Sequence, residues 1–283
     1  MKLEDKVAIV TAAGRGIGRA IALCLAEEGA DVVVNSFHQE TTVEVADEIK
    51  ALGRRVLAIP SDITRTEEIL QTVKDTIDTF GKIDILVNSV GAGRITPRDP
   101  GSGPLGQVEA VWDDMYDQNL KASVLMCEAV APHFKEQKNG KIINISSIAG
   151  QHTLPDKLES NIVPASYSAM KAALLSYSRQ LAEKLGPYNV NVNCVCPGIV
   201  YTDAWKRNSK RMVEILPEFK GMDSREWFVG IAHGKYPDMF PVTPLRREQM
   251  VEDIGQAIVF LVSEDAKNIT GQSLNVDGGM MKS

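Results

Sequence analysis

Tyr167-Ser168-Ala169-Met170-Lys171 sets a phenol and an ammonium four residues apart. On a helix that spacing puts both on one face, one turn apart. A phenol ordinarily titrates at about 10, and a nearby ammonium favours its ionised form. Such a pair suits proton exchange with the oxygen of an alcohol or ketone. Alone, it fits a solvated helix face equally well. The second chemical pattern is Thr11-Ala12-Ala13-Gly14-Arg15-Gly16-Ile17-Gly18. Glycines let backbone approach a ligand closely, and the N–H groups and dipole of a following helix attract phosphate. Between a strand and a helix, such a turn implies a dinucleotide ligand.

The surrounding elements fit that requirement. Residues 7–10 form a short apolar run, 19–28 carry a helical pattern, and 32–34 read as the next strand. Helices are expected near 40–52, 66–80, 112–135, 166–185 and 250–261. Strands are expected at 55–59, 83–87, 141–145, 190–195 and 273–276. Seven strands alternating with helices imply a doubly wound parallel sheet, an α/β fold. No linker or repeat splits the chain, so 1–283 reads as one domain. Three irregular stretches, 91–106, 151–164 and 201–247, each follow the carboxyl end of a strand, where open α/β sheets hold ligands.

With these motifs in order, the sequence resembles the short-chain dehydrogenase/reductase family, in the branch with Tyr-x-x-x-Lys. The resemblance runs from Lys6 to Gly279. It implies a single Rossmann-type domain with a substrate lid at 201–247, after the sixth strand. Thr11 to Gly18 matches the family's glycine motif, except that Ala12 stands where its first glycine is usual. Asp62, in Ser61-Asp62-Ile63, matches the acid that meets adenine. Asn88-Ser89-Val90-Gly91 matches the next loop at its two ends only. Asn119 matches the helix asparagine that holds a water against the catalytic lysine. Ser147, rather than Ser146, matches the serine that orients the substrate oxygen. Pro197-Gly198-Ile199-Val200-Tyr201-Thr202 matches the loop that holds the nicotinamide, and Asp277-Gly278-Gly279 belongs to the closing stretch. The resemblance thus implies Asn119, Ser147, Tyr167 and Lys171 as catalytic. It implies Thr11, Arg15, Gly16, Ile17, Gly18, Ser36, Asp62, Ile63, Asn88, Gly91, Tyr167, Lys171, Pro197, Gly198, Val200 and Thr202 as cofactor contacts, and no metal.

The expected activity is hydride exchange between a nicotinamide cofactor and a secondary alcohol or ketone. A 3-oxoacyl or enoyl thioester is the alternative substrate; enoyl reductases of the family usually space Tyr and Lys more widely. The remaining alternative is a non-catalytic dinucleotide-binding regulator, a class that typically loses the Tyr or the Lys. NADP is the favoured cofactor and NAD the alternative. An NAD enzyme usually places an acid at the end of the second strand, and Ser36 stands there, with Arg15 able to meet a 2′-phosphate. Lys206, Arg207, Lys210 and Arg211 fit either an anionic substrate group or a solvated helix face. Trp227, Phe228, Tyr236 and Phe240 fit a pocket wall, lid packing or a subunit contact.

The 283 residues are 44% hydrophobic and 24% charged, as in globular proteins, with a net charge of −6. That balance lacks the positive charge nucleic acid attracts. No stretch reaches the roughly 20 apolar residues of a membrane helix. The charged start runs directly into a strand, leaving no room for a secretory signal. Four cysteines make no disulfide framework and read as buried thiols, so the expected compartment is the cytoplasm. The family resemblance implies a dimer or tetramer built on helices 112–135 and 166–185.

Overall fold

The structure, a computed structural model, describes residues 1–91, 104–152 and 163–281. Seven strands form one parallel sheet: β1 (Val7–Val10), β2 (Asp31–Ser36), β3 (Val56–Pro60), β4 (Ile85–Asn88), β5 (Gly140–Ile145), β6 (Val190–Pro197) and β7 (Ser273–Val276). Their order is β3-β2-β1-β4-β5-β6-β7. Every pairing is parallel, so helical crossovers must cover both faces. That explains the uninterrupted apolar runs: every residue of β1, β4, β5 and β6 is buried.

Helices α1 (Gly16–Glu27), α2 (Gln39–Ala51) and α3 (Thr66–Phe80) follow the first three strands, and α4 (Pro104–Tyr116) and α5 (Ala122–Gln137) follow β4. The expected helix at 112–135 is divided. Asp117–Lys121 forms a π-helical turn between α4 and α5, with Asn119 at its centre. Such turns widen a helix locally and often mark functional positions. Helix α6 (Ala165–Leu185) follows β5, and α9 (Val251–Val262) precedes β7.

Two apolar layers sandwich the sheet. Ile21, Leu25, Val45, Ile49, Ile254 and Ile258 bring α1, α2 and α9 against one face. Val73, Met126, Val130, Phe134, Leu181 and Leu185 bring α3, α5 and α6 against the other. The chain reverses its direction of travel across the sheet between β1 and β4, which opens a crevice outside their carboxyl ends.

After β6 the chain forms α7 (Asp203–Ile215) and α8 (Ser224–Ala232). Trp227, Phe228 and Phe240 are buried with Met212, Val213 and Phe219 in a cluster separate from both main layers. Trp227 stacks on Tyr236 with ring centroids 5.9 Å apart. These aromatics therefore pack the excursion against itself. The four cysteines are free and buried. Among the described residues, no helix is long and apolar enough to cross a membrane.

Candidate active site

Ser147 lies two residues beyond the end of β5. Its hydroxyl accepts a hydrogen bond from the Ala149 N–H at 3.1 Å, capping a short 3₁₀ turn at Ile148–Gly150. That turn lies flush on α6: a Cβ at Gly150 would stand 2.7 Å from the Lys171 carbonyl carbon. The turn thus holds Ser147 beside Tyr167, on the first turn of α6. A hydrogen bond with the Ser147 side chain draws the phenol's titration down, but burial outweighs it and the net direction is upward. Ser146 points elsewhere, donating to the Lys171 carbonyl at 2.9 Å.

Lys171, one turn on from Tyr167, is buried, and its ammonium donates to the Ile145 carbonyl at 2.9 Å. Burial lowers its pKa to about 8. Its nitrogen lies 5.6 Å from the centre of the Tyr167 ring. Desolvation is the largest cause for both groups, raising the phenol and lowering the ammonium. Gly91 faces the same point. A Cβ there would stand 2.6 Å from the Lys171 nitrogen and 2.7 Å from Asn119 Oδ1. Ser147, Tyr167, Lys171 and Asn119 therefore come together at the carboxyl ends of β4 and β5.

The glycine turn lies across the crevice. Gly16 adopts φ +56°, and a Cβ at Gly18 would stand 2.3 Å from the Ala12 carbonyl oxygen. Ala12 itself holds φ +50°, so the chain keeps the left-handed bend that the missing glycine would favour. Among the described residues no side chain caps α1, which leaves its first N–H groups for a ligand. Ile17 is half-buried against the core, and Arg15 is exposed. The Thr11 hydroxyl accepts from the backbone N–H groups of Ser89 at 3.0 Å and Val90 at 3.3 Å, tying this turn to the loop after β4. Ser36, at the end of β2, has its hydroxyl 2.7 Å from where a Gly14 Cβ would be.

Asp62 and Ile63 follow β3. The Asp62 carboxylate accepts from the Thr64 N–H at 3.0 Å and the Thr64 hydroxyl at 2.7 Å, and Ile63 is buried. Asn88 faces away from the crevice. Its amide donates to Asn144 Oδ1 at 2.9 Å and the Ser123 carbonyl at 3.3 Å, inside the core. Its place at the end of β4 shapes the loop, while its side chain joins β4 to β5. Pro197 ends β6. Gly198 donates its N–H to the Val276 carbonyl at 3.1 Å, and Val200 is buried beside Gln249. Thr202 caps α7, accepting from the Trp205 N–H at 3.4 Å.

Sequence reasoning missed Gln249, Glu248 and Arg225, which brace this last loop from outside; no local pattern marks them. Lys206, Arg207, Lys210 and Arg211 are exposed on α7, whose buried face carries Ser209, Met212 and Val213. A cavity of about 500 Å³, lined by Ile199, Phe228 and Met280 among others, lies behind the 197–202 loop. Residues 92–103 and 153–162, which include most of two irregular stretches, lie outside the described residues.

The site sets a phenol beside a turn suited to phosphate, and the chain resembles known proteins along its length. Residues 6–212 match the family described as short chain dehydrogenase, and residues 233–281 match one described as enoyl-(acyl carrier protein) reductase. A 3-oxoacyl-[acyl-carrier-protein] reductase of Staphylococcus epidermidis is 34% identical over 98% of this chain and 99% of its own. Cyclohexanol dehydrogenase of Rhodococcus sp. strain TK6 is 33% identical over 99% of this chain and 97% of its own. The solved structure of a 7α-hydroxysteroid dehydrogenase, complexed with NADH and 7-oxoglycochenodeoxycholic acid, superposes with a TM-score of 0.78. That structure is 34% identical, covering 98% of this chain and 95% of the other.

The chain belongs to the short-chain dehydrogenase/reductase family. It is an oxidoreductase that works with a nicotinamide cofactor on an alcohol carbon or the corresponding ketone. The residues present fit that cofactor. Gly18 lets the turn close on the Ala12 backbone, Gly91 leaves the space beside Lys171 and Asn119 clear of a side chain, and among the described residues no side chain caps the first N–H groups of α1.

Proposed function

We propose that this protein interconverts a secondary alcohol and its ketone, with Tyr167 as the proton-exchanging group and NADP as the preferred cofactor. The observation that carries this reading is the convergence of Ser147, Tyr167, Lys171 and Asn119 beside the glycine turn. Tyr167 gives its hydroxyl proton to the substrate oxygen during reduction and takes it back during oxidation. Ser147, already bonded to the phenol, holds the substrate oxygen in reach. Lys171 binds the nicotinamide ribose and replenishes the proton, and Asn119 connects that path to solvent. Thr11, Arg15, Gly16, Ile17 and Gly18 cradle the phosphates. Asp62 and Ile63 flank the adenine side, Gly91 lines the crevice beside Lys171, and Asn88 acts through the loop it anchors. Pro197, Gly198, Val200 and Thr202 frame the nicotinamide. When bound, the cofactor supplies or accepts the hydride.

The fold supports a single domain over 1–283 in which 201–247 covers the substrate. The net charge and the buried free thiols support a cytoplasmic location. A 3-oxoacyl thioester is the second reading of the substrate, favoured by the Staphylococcus relative's activity. A purified-protein screen of secondary alcohols, ketones and 3-oxoacyl thioesters with both cofactors decides between them.

NADP preference rests on Ser36, whose small neutral side chain stands beside Gly14. A carboxylate there repels a 2′-phosphate. Ser36→Asp is therefore expected to lower affinity for NADPH roughly tenfold, the equivalent of about 1.4 kcal/mol, with little effect on NADH. Fluorescence titration with both cofactors measures this. A tenfold preference for NADH in the unmodified protein contradicts the assignment.

Assembly as a dimer or tetramer is supported by α4, which leaves Val108, Trp112 and Tyr116 41–51% exposed. Large apolar side chains clustered on one exposed helix mark an interaction surface. Light scattering is expected to give at least twice the chain mass at low micromolar concentration. A stable, active monomer there contradicts the expectation.

A further inference from the structure

We propose that Arg225 is a positioning residue for the nicotinamide loop, acting through Tyr201; this rests on the cofactor reading above. Arg225 lies on α8, well along the chain from that loop, yet its guanidinium carbon sits 4.1 Å from the centre of the Tyr201 ring. The same guanidinium forks onto Glu248, with Nη2 at 2.7 Å from Oε2 and Nη1 on Oε1. A planar cation held by a carboxylate on its edge and a ring on its face has little freedom, and lysine cannot copy both contacts. Tyr201 also packs on Phe228, with centroids 4.6 Å apart.

These contacts converge on the 197–202 loop. Glu248 precedes Gln249, whose backbone bridges Val200 and whose side-chain amide donates to the Val276 carbonyl. Gly198 is closed in by the same residues. A Cβ there would meet Asp277 Cβ at 2.8 Å and Gln249 Oε1 at 2.9 Å. On the other side, Thr202 Cγ2 stands 3.7 Å from where a Gly16 Cβ would be, so the loop reaches the phosphate turn. Tyr201 is thus the joint between the cofactor crevice and the self-packed aromatic cluster of the lid. Arg225 clamps that joint to Glu248. Without the clamp the loop keeps its backbone bonds at Gly198 and Val200 but loses the restraint that fixes Tyr201 and Thr202. The cost then falls on cofactor retention.

The test is a double-variant cycle read by binding of NADH and NADPH, followed by cofactor fluorescence. Arg225→Gln and Tyr201→Leu are each expected to raise the Kd of the preferred cofactor about fivefold, the equivalent of one cation–π contact. The double variant is expected to be no weaker than the poorer single one, because both remove the same joint. Arg225→Lys is expected to restore binding only in part, and Glu248→Gln, which releases the fork without altering the ring contact, supplies a second route should Arg225→Gln fold poorly. Unchanged Kd values with only a lowered Tm, or fully additive effects, overturn the proposal. Failure of the unmodified protein to bind either cofactor overturns the cofactor reading and this inference with it.

Discussion

Tyr167→Phe is expected to lower kcat by roughly 10²- to 10⁴-fold, the range a positioned general acid or base contributes. The Kd for cofactor should stay within a few-fold, because the ring and Lys171 remain. The substitution removes only the hydroxyl that bonds with Ser147. The wild-type pH profile carries the same signature. Burial raises the Tyr167 titration above the ordinary phenol value, so near neutrality the phenol is protonated and ready to donate. Ketone reduction needs that form, whereas alcohol oxidation needs the phenolate. Oxidation is therefore expected to accelerate as pH rises, and Tyr167→Phe to flatten that dependence. Stopped-time assays in both directions check this; turnover near the wild-type rate in the variant rejects Tyr167 as the proton-exchanging group.

Lys171→Met is expected to abolish turnover and yet stabilise the fold. Burial holds Lys171 at about 8 against 10.5 in the open chain. Below about pH 8 both folded and unfolded states carry the charge, and the folded state bears the full desolvation penalty, roughly 3 kcal/mol at 1.4 per pH unit. Between 8 and 10.5 the folded protein releases the proton while the unfolded chain keeps it, so the penalty shrinks; above 10.5 it is gone. Losing the hydrogen bond to the Ile145 carbonyl offsets roughly 1 kcal/mol of the gain. A net gain of about 2 kcal/mol is expected at neutral pH, declining as pH rises through that window. Thermal unfolding at neutral pH and at 10.5 measures it. A Tm lowered at neutral pH would show that the ammonium stabilises the fold it occupies. On the proposed mechanism, the site keeps a costly charge for cofactor binding and proton transfer.

Legibility in the sequence followed how local the determining forces are. Helix Thr66–Phe80 matched its expected span because an amphipathic period ends at Gly81, whose φ of +78° stops the helix. The buried strands were readable as apolar runs, since parallel strands covered on both faces need no alternation. The long helix expected at 112–135 was not one helix. The π turn at Asp117–Lys121 leaves no mark in the hydrophobic period, because it shifts the register by only one residue. Helices α7 and α8 fall within the stretch 201–247 that reads as irregular, since their apolar residues meet each other in a small separate cluster. The choice of Ser147 over Ser146 rests on the family pattern; in the structure Ser146 bonds to the Lys171 backbone. Asn88 carried a motif position, but its inward direction depends on Asn144 and Ser123, distant in sequence. Arg225 and Glu248 had no sequence signal, as their meaning lies wholly in a tertiary contact.

The central claim is that this chain moves a hydride between a nicotinamide cofactor and a carbinol carbon. The direct measurement follows reduced-nicotinamide absorbance in purified protein given a panel of ketones, secondary alcohols and 3-oxoacyl thioesters, with product quantified in parallel. The account predicts turnover of at least one such substrate, with one cofactor oxidised for each carbonyl reduced and NADPH used faster than NADH. Cofactor consumption without a matching alcohol product would contradict it, as would no turnover across the panel with either cofactor.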